Sequence, residues 1–254
     1  MSGSREREKR REMRLQEDAD VAAGDRRKRL VQLVSGAIFL VIVVVAAVIV
    51  VSQSESGGGD SNLEDVSLVK GQLKGIPQND LVLGSPSAPV KVVEFGDLQC
   101  PVCKAYSEEV VPQIIEGPVR SGEAKIEFRN FIVIGEQSYD AGAAAIAAGK
   151  QGRGWNYIEL FYRNQGVEDS GYVTDEFLTS IARGAGVPNM SKWNADRKSK
   201  GAKQQVSRTA AEAERIGFSG TPSFGVEGPG TNGFEPLGLP NSAGELETAI
   251  REAG

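Results

Sequence analysis

Val93-Glu94-Phe95-Gly96-Asp97-Leu98-Gln99-Cys100-Pro101-Val102-Cys103 is the stretch on which the reading of this chain turns. Val90 to Phe95 is β-branched and aromatic enough to form a buried strand. Gly96 to Gln99 turns the chain, and a helix is expected from about Pro101 to Ile115. A strand that runs into a helix here puts Cys100 at the helix N-terminus. There the unpaired N–H groups and the positive end of the dipole stabilise a thiolate, the nucleophile of disulfide exchange. Pro101 suits the first helical turn, where a missing N–H costs nothing. Cys103 lies one turn further in, more buried and close enough to close a disulfide. Cys100 is therefore expected to attack or be attacked, and Cys103 to resolve the mixed disulfide.

Residue counts remove competing chemistry. The chain has 254 residues, enough for one well-buried domain plus appendages. It contains 0 His and 2 Cys, and both cysteines lie in the one C-x-x-C. No imidazole base or His-containing triad is available. A structural zinc site takes about four ligands, usually Cys and His, so no metal site is expected. A c-type haem motif needs His after the second Cys, where Lys104 stands. A purely structural disulfide across so short a loop would constrain little of the unfolded chain. The redox pair itself is the expected cofactor. The net charge is −5 and only 6% of residues are aromatic. The first thirty or so residues are net basic, which leaves the remainder more acidic than the overall figure and unsuited to nucleic acid.

Met1 to Arg29 interleaves Arg and Glu, ends on Arg26-Arg27-Lys28-Arg29 and offers nothing apolar to pack. Leu30 to Val51 follows without a charge. At about 1.5 Å per residue it spans the roughly 30 Å hydrocarbon layer, and lipid forces the Val-rich run into a helix. It is too long for a signal-peptide core and no A-x-A-like site follows it, so a signal anchor is favoured over a cleaved leader. The basic cluster before the span places residues 1–29 in the cytoplasm and everything after Val51 outside, where disulfides persist. Residues 52–75, opening on Ser-Gln-Ser-Glu-Ser-Gly-Gly-Gly-Asp, read as a flexible linker ahead of a domain over 76–254.

Within that domain a second strand is expected over Lys125 to Ile134. Helices follow over Ser138 to Lys150, Trp155 to Asn164, Asp175 to Ala185 and Lys192 to Ile216. Strands return at Ser223 to Val226 and around Phe234 to Leu237, and Ser242 caps a last helix to about Glu252. The pattern is an α/β fold with a helical insertion over about 136–217. Trp155, Tyr157, Phe161 and Tyr162 either line a substrate groove or simply pack the core. Asp97 and Gln99 shape the loop rather than react.

Leu83-Gly84-Ser85-Pro86-Ser87-Ala88-Pro89-Val90, the Cys100-Pro101-Val102-Cys103 motif and Gly220-Thr221-Pro222-Ser223-Phe224 together resemble the DsbA-like branch of the thioredoxin superfamily, especially its membrane-anchored bacterial members. The resemblance covers about Ile76 to Gly254, and the long helical block between Cys103 and Pro222 matches that branch's insertion. It implies a thioredoxin-like fold with Pro222 cis and facing the redox pair. Thr221, Pro222 and the motif dipeptide Pro101-Val102 are then the substrate-binding candidates, with the Thr221 backbone bonding an extended substrate segment. It also implies that Glu94 is a buried acid relaying a proton for Cys103. The alternative for Glu94 is a half-exposed strand residue paired with Lys91 or Arg129.

Strongly oxidising members carry His within the motif dipeptide, where this chain has Val102. A thiolate less stabilised for that reason makes a weaker oxidant. The expected activity is protein thiol–disulfide exchange with secreted or cell-envelope proteins, as an oxidase reset by a membrane redox partner. The alternatives are a reductase or isomerase kept reduced by such a partner, and a tethered binding or chaperone module. A monomer is expected, because the span lacks a G-x-x-x-G and no long heptad run follows it.

Overall fold

Val90–Gly96 forms the central strand of a six-stranded sheet and is buried along nearly its whole length. Its side chains alternate between two cores, as the period of two requires. Val90 and Val92 join the larger core, while Val93 and Phe95 face a smaller one with Phe131, Ala210 and Ala213. These details come from a computed structural model that describes residues 63–254. The expected charged tail 1–29, the membrane span 30–51 and residues 52–62 of the linker lie outside the described residues. Among the described residues no helix is long and apolar enough to cross a membrane.

Strands are numbered β1 (Gln78–Asn79), β2 (Val82–Leu83), β3 (Val90–Gly96), β4 (Ala124–Asn130), β5 (Ser223–Glu227) and β6 (Glu235–Gly238), and the sheet order is β1-β2-β4-β3-β5-β6. β4 runs parallel to β3 with Glu94 opposite Phe128, and β5 runs antiparallel with Glu94 opposite Phe224. The helices are α1 (Val66–Gln72), α2 (Pro101–Glu109), α3 (Val111–Ile114), α4 (Glu136–Gly149), α5 (Gly154–Arg163), α6 (Asp175–Gly184), α7 (Met190–Arg197), α8 (Lys200–Ile216) and α9 (Ala243–Ala253). The insertion between β4 and β5 is α4 to α8. Ala-rich α4 is its centre, and its small buried residues let α5, α7 and α8 pack closely around it.

Several expected boundaries move, each for a local reason. The flexible linker does not reach residue 75. α1 buries Val69 and Leu73 in the larger core, and Glu64 and Asn164 exchange hydrogen bonds ahead of it. Arg120 donates to the carbonyls of Gln72 and Lys74 at its other end. Ordered structure thus begins before residue 76. The helix from Pro101 stops at Glu109, because Pro112 has no N–H for the helical ladder. α3 and a wider turn over Ile115–Val119, which contains Pro118, carry the chain on. β4 ends at Asn130 rather than Ile134, since the N–H groups of Val133 and Ile134 turn to the Asp97 carboxylate. The expected helix over Lys192 to Ile216 is two helices. Ser199 divides them, its Oγ accepting from Ala202 N–H as the cap of α8. Gly217 closes α8 at φ 96°, a left-handed conformation that suits glycine.

Candidate active site

The β3–α2 turn is built around one buried carboxylate. Asp97 accepts from Gln99 N–H at 2.9 Å through Oδ1, and from Val133 and Ile134 N–H through Oδ2 at 2.9 and 3.0 Å. It is therefore fully occupied in shaping the loop. Gln99 is equally committed: its Nε2 donates to Ser138 Oγ and its Oε1 accepts from Asp169 N–H. Gly96 precedes the turn where a Cβ would lie 2.6 Å from the Phe128 ring, so a side chain there would force the strand end away from its neighbour.

From this turn Cys100 emerges as the N-cap of α2 in an extended conformation, and Pro101 occupies the first turn as expected. Both thiols are free, with Cys100 nearly buried and Cys103 fully so. Val102 between them is 46% exposed, which leaves an apolar step beside the reactive sulfur. The Thr221–Pro222 bond is cis, and the Cys100 thiol donates to the Thr221 carbonyl across 3.5 Å. The structure thus brings together Cys100, Cys103, Pro101, Val102, Thr221 and Pro222. Thr221 Oγ1 is buried without a partner of its own, which leaves the hydroxyl free to donate to a Cys100 thiolate.

The two sulfurs are electrostatically unlike. The Cys103 thiol pulls Cys100 down to about 6; the Thr221 side chain and the N–H groups of Cys103 and Val102 add to this against the opposing effect of burial. At pH 7 roughly nine in ten Cys100 groups are then thiolate. Cys103 moves the other way: burial first, then the neighbouring Cys100 sulfur, raise it well above the ordinary thiol range. Near neutral pH one sulfur is thus largely ionised and the other protonated.

Glu94 lies on the face of β3 that carries Val90 and Val92 and is only 2% exposed. Burial, then the charge of Glu159, raise it to about 8. Lys91 pairs instead with Glu227 at 2.7 Å, and Arg129 with Glu127 and Glu212, so neither neutralises Glu94. Glu94 Oε1 has no hydrogen-bond partner. Such an acid holds a proton at neutral pH.

Trp155, Tyr157, Phe161 and Tyr162 line no groove. All four are buried in the larger core, because α5 is packed by α2, α4, α6 and α1 around its circumference. Tyr162 does touch the active-site turn, donating to the Asp97 carbonyl at 3.3 Å. Sequence reasoning missed Gln165, whose Nε2 donates to the Leu98 and Cys100 carbonyls at 2.7 and 3.1 Å. It also missed Glu159, buried on α5 with its Oε2 accepting from Ser107. Neither belongs to a motif; the only trace of Glu159 is an acid set among the aromatic residues of α5.

A reactive dithiol at a helix N-terminus, facing a cis-proline across a strand–helix turn, on a sheet with a helical insertion, defines a thiol–disulfide oxidoreductase of thioredoxin-like fold. The family model described as Thioredoxin matches residues 77–235, and the chain belongs to the DsbA-like thiol–disulfide oxidoreductases of the thioredoxin superfamily. A probable disulfide bond formation protein D of Bacillus cereus is 34% identical over 150 residues, covering 58% of this chain and 69% of that protein. Disulfide bond formation protein D of Bacillus subtilis is 30% identical over 164 residues, covering 62% and 71%. Among solved structures, oxidised BdbD from Bacillus subtilis superposes with a TM-score of 0.59 at 23% identity, over 70% of this chain and 96% of that one. A thioredoxin-like oxidoreductase from Silicibacter pomeroyi gives 0.55 at 26% identity, over 75% and 96%.

Proposed function

We propose that this chain is a membrane-tethered oxidase that donates the Cys100–Cys103 disulfide to secreted or cell-envelope proteins. The observation that carries the reading is the asymmetry of the pair: a Cys100 held at about 6 at the start of α2 beside a fully buried Cys103 held high. A stabilised Cys100 thiolate favours the dithiol form and so makes the disulfide form oxidising. The relatives named for disulfide bond formation support the same direction. The uncharged run 30–51 behind a basic cluster supports a single-pass anchor with the domain outside the cytoplasm.

In the proposed cycle a substrate thiolate attacks Cys100 Sγ, the Cys100–Cys103 bond breaks, and Cys103 leaves with the electron pair. Glu94 gives its proton to the Cys103 sulfur. A second substrate thiolate then attacks the first substrate sulfur, releases Cys100 as its stabilised thiolate and completes the substrate disulfide. Two electrons now reside on the dithiol, and a membrane redox partner of oxidising chemistry accepts them. The pair is its own cofactor.

Thr221, Pro222 and the exposed Pro101-Val102 step form the substrate-binding edge, where the Thr221 backbone can pair with an extended segment of varied sequence. Val133 and Val167 are also exposed, on loops bonded to or flanking the Asp97–Gln99 turn. Val102 in place of His tempers the oxidising power. A Cys100 value of about 6 lies between about 7 in thioredoxin and about 3.5 in DsbA. The midpoint potential is accordingly expected between about −270 and −120 mV, nearer the first. The test is acid quenching of growing cells followed by alkylation of free thiols. An oxidase is found mainly as the disulfide; a pair found mainly as dithiol contradicts this reading and favours a reductase or isomerase.

A further inference from the structure

One cleft of the domain gathers positive charge in a chain whose net charge is −5. Its volume is about 560 Å³, and it lies where the end of α1, the start of β1 and the first turn of α5 meet. Lys70, Lys74 and Arg153 line it, and no Asp or Glu does. Among the described residues none of these three cations takes part in a salt bridge. Glu116, which Arg120 links to this end of α1, is held by that arginine at 2.8 Å. Arg153 is fixed in place, its Nε donating to the Gly186 carbonyl at 3.1 Å and its Nη1 to the Gly152 carbonyl at 3.2 Å. Its Nη2 is left over.

The helix that opens on this cleft is uncapped. No side chain caps α5, and its first turn holds no acid, so the positive end of its dipole is uncompensated from within the chain. Asn156 supplies an observation independent of the helix end. The residue is only 7% exposed and lines the cleft. Its Oδ1 accepts from Gln78 Nε2 at 2.8 Å, and Gln78 Oε1 in turn accepts from Trp155 N–H at 3.1 Å. Those two bonds fix which end of each amide is oxygen, and they leave Asn156 Nδ2 as a donor without an acceptor. An NH2 group unmatched in so buried a residue marks a place for an acceptor that the chain itself does not supply.

We infer that this cleft is a second site of the protein, which binds the phosphate group of a soluble ester or of a lipid headgroup. Three cations, the Asn156 NH2 and the positive end of α5 offer more donors than the two oxygens of a carboxylate can use. A phosphate ester matches them better, with more acceptor oxygens and at least one full charge. Leu73, Ile76 and Ala185 give apolar wall for the carbon atoms that carry it. The site stands apart from the redox pair. Arg153 and Asn156 begin α5, whereas Tyr162 and Gln165, at and beyond its other end, meet the Asp97 and Cys100 carbonyls. The ten residues of that helix span about 15 Å. The inference goes beyond the oxidase reading and does not depend on it. Only the lipid source rests on the proposed anchor: from Val51 the eleven residues 52–62 can reach at most about 40 Å, which brings α1 within range of the headgroups.

The test is calorimetric titration of the full-length chain in a neutral detergent, with glycerol phosphate and, separately, with phosphatidylglycerol in mixed micelles. Saturable binding is expected. Lys70→Gln together with Lys74→Gln removes charge from two exposed side chains and should weaken binding about tenfold or more. Lys192→Gln together with Lys198→Gln removes the same charge at α7 and should change it by less than about twofold. Saturation by glycerol phosphate assigns the site to soluble phosphate esters, and a response to phosphatidylglycerol alone assigns it to lipid headgroups; either supports the inference. No saturable response to either ligand overturns it. Equal weakening by the two variant pairs, or an equal response to sodium acetate at the same ionic strength, also overturns it. On the unaltered chain, the Asn156 side-chain amide signals in nuclear magnetic resonance spectra should shift as the site fills. A saturable response that leaves them in place puts the ligand elsewhere and overturns the inference without any variant.

Discussion

Replacing Glu94 with Gln should make the protein more stable, and by an amount that depends on pH. Glu94 is buried without a counter-charge, and burial raises it from an ordinary 4.5 to about 8. Below about pH 4.5 the folded and unfolded chains both carry the proton, so the group contributes no pH dependence. Between about 4.5 and 8 the unfolded chain ionises while the folded chain keeps its proton, and stability falls as pH rises. Above about 8 both forms are ionised and the loss levels off. At about 1.4 kcal/mol per unit the full loss is about 5 kcal/mol, an order of magnitude only. Gln has nearly the same shape and cannot ionise, so it removes this slope. The assay is urea denaturation of the full-length wild type and Glu94→Gln in the disulfide form, where neither thiol titrates. The stability gain of the variant should be small near pH 4 and should grow to several kcal/mol near pH 8.5. Glu159, raised to about 7, supplies the slope that remains in the variant. A gain that is constant across this range would refute the view that Glu94 is a buried, uncompensated acid.

Other expectations concern the cysteine turn. Iodoacetamide should alkylate Cys100 in the reduced chain with a single pH step near about 6, whereas a step near 9 would show that the helix terminus and Cys103 do not stabilise the thiolate. Val102→His adds a cationic donor beside Cys100. If it lowers the thiol by one further unit, the potential becomes more oxidising by about 30 mV, measurable by equilibration with glutathione. Gln165→Ala leaves the Leu98 and Cys100 carbonyls without their side-chain donor, and a loss of about 1–2 kcal/mol is expected in thermal or urea unfolding. An unchanged midpoint would mean that water replaces the amide at no cost.

The parts of the fold that were legible are those whose signals are local. The β-branched run at Val90 to Phe95, the turn after it and Pro101 at a helix start are decided by residues within a few positions. Helix α9 announced itself through Ser242, whose Oγ accepts from Glu245 N–H at the cap. The Gly220-Thr221-Pro222 signature located the strand that faces Cys100, although the two lie far apart in the chain. What escaped depends on distant partners. α1 looked like linker because its burial comes from a core supplied by later helices. Residues Phe131 to Ile134 looked like strand until Asp97, on another element, captured their N–H groups. Pro112 and Ser199 are local breakers, and they divide stretches whose apolar periodicity runs on across them. Glu159 and Gln165 reach the site only because α5 lies against α2, which no spacing in the sequence encodes.

The central claim is that Cys100 is the exchanging sulfur and Cys103 the one that resolves. It is tested most directly by mixing full-length Cys103→Ser and Cys100→Ser chains with a disulfide-bonded peptide and mapping the adducts by mass spectrometry. The account predicts a long-lived mixed disulfide on Cys100 in the Cys103→Ser chain, and little or no adduct in the Cys100→Ser chain, whose remaining thiol is buried and protonated. Equal adducts on the two variants, or a Cys100→Ser chain that reacts faster, would contradict it.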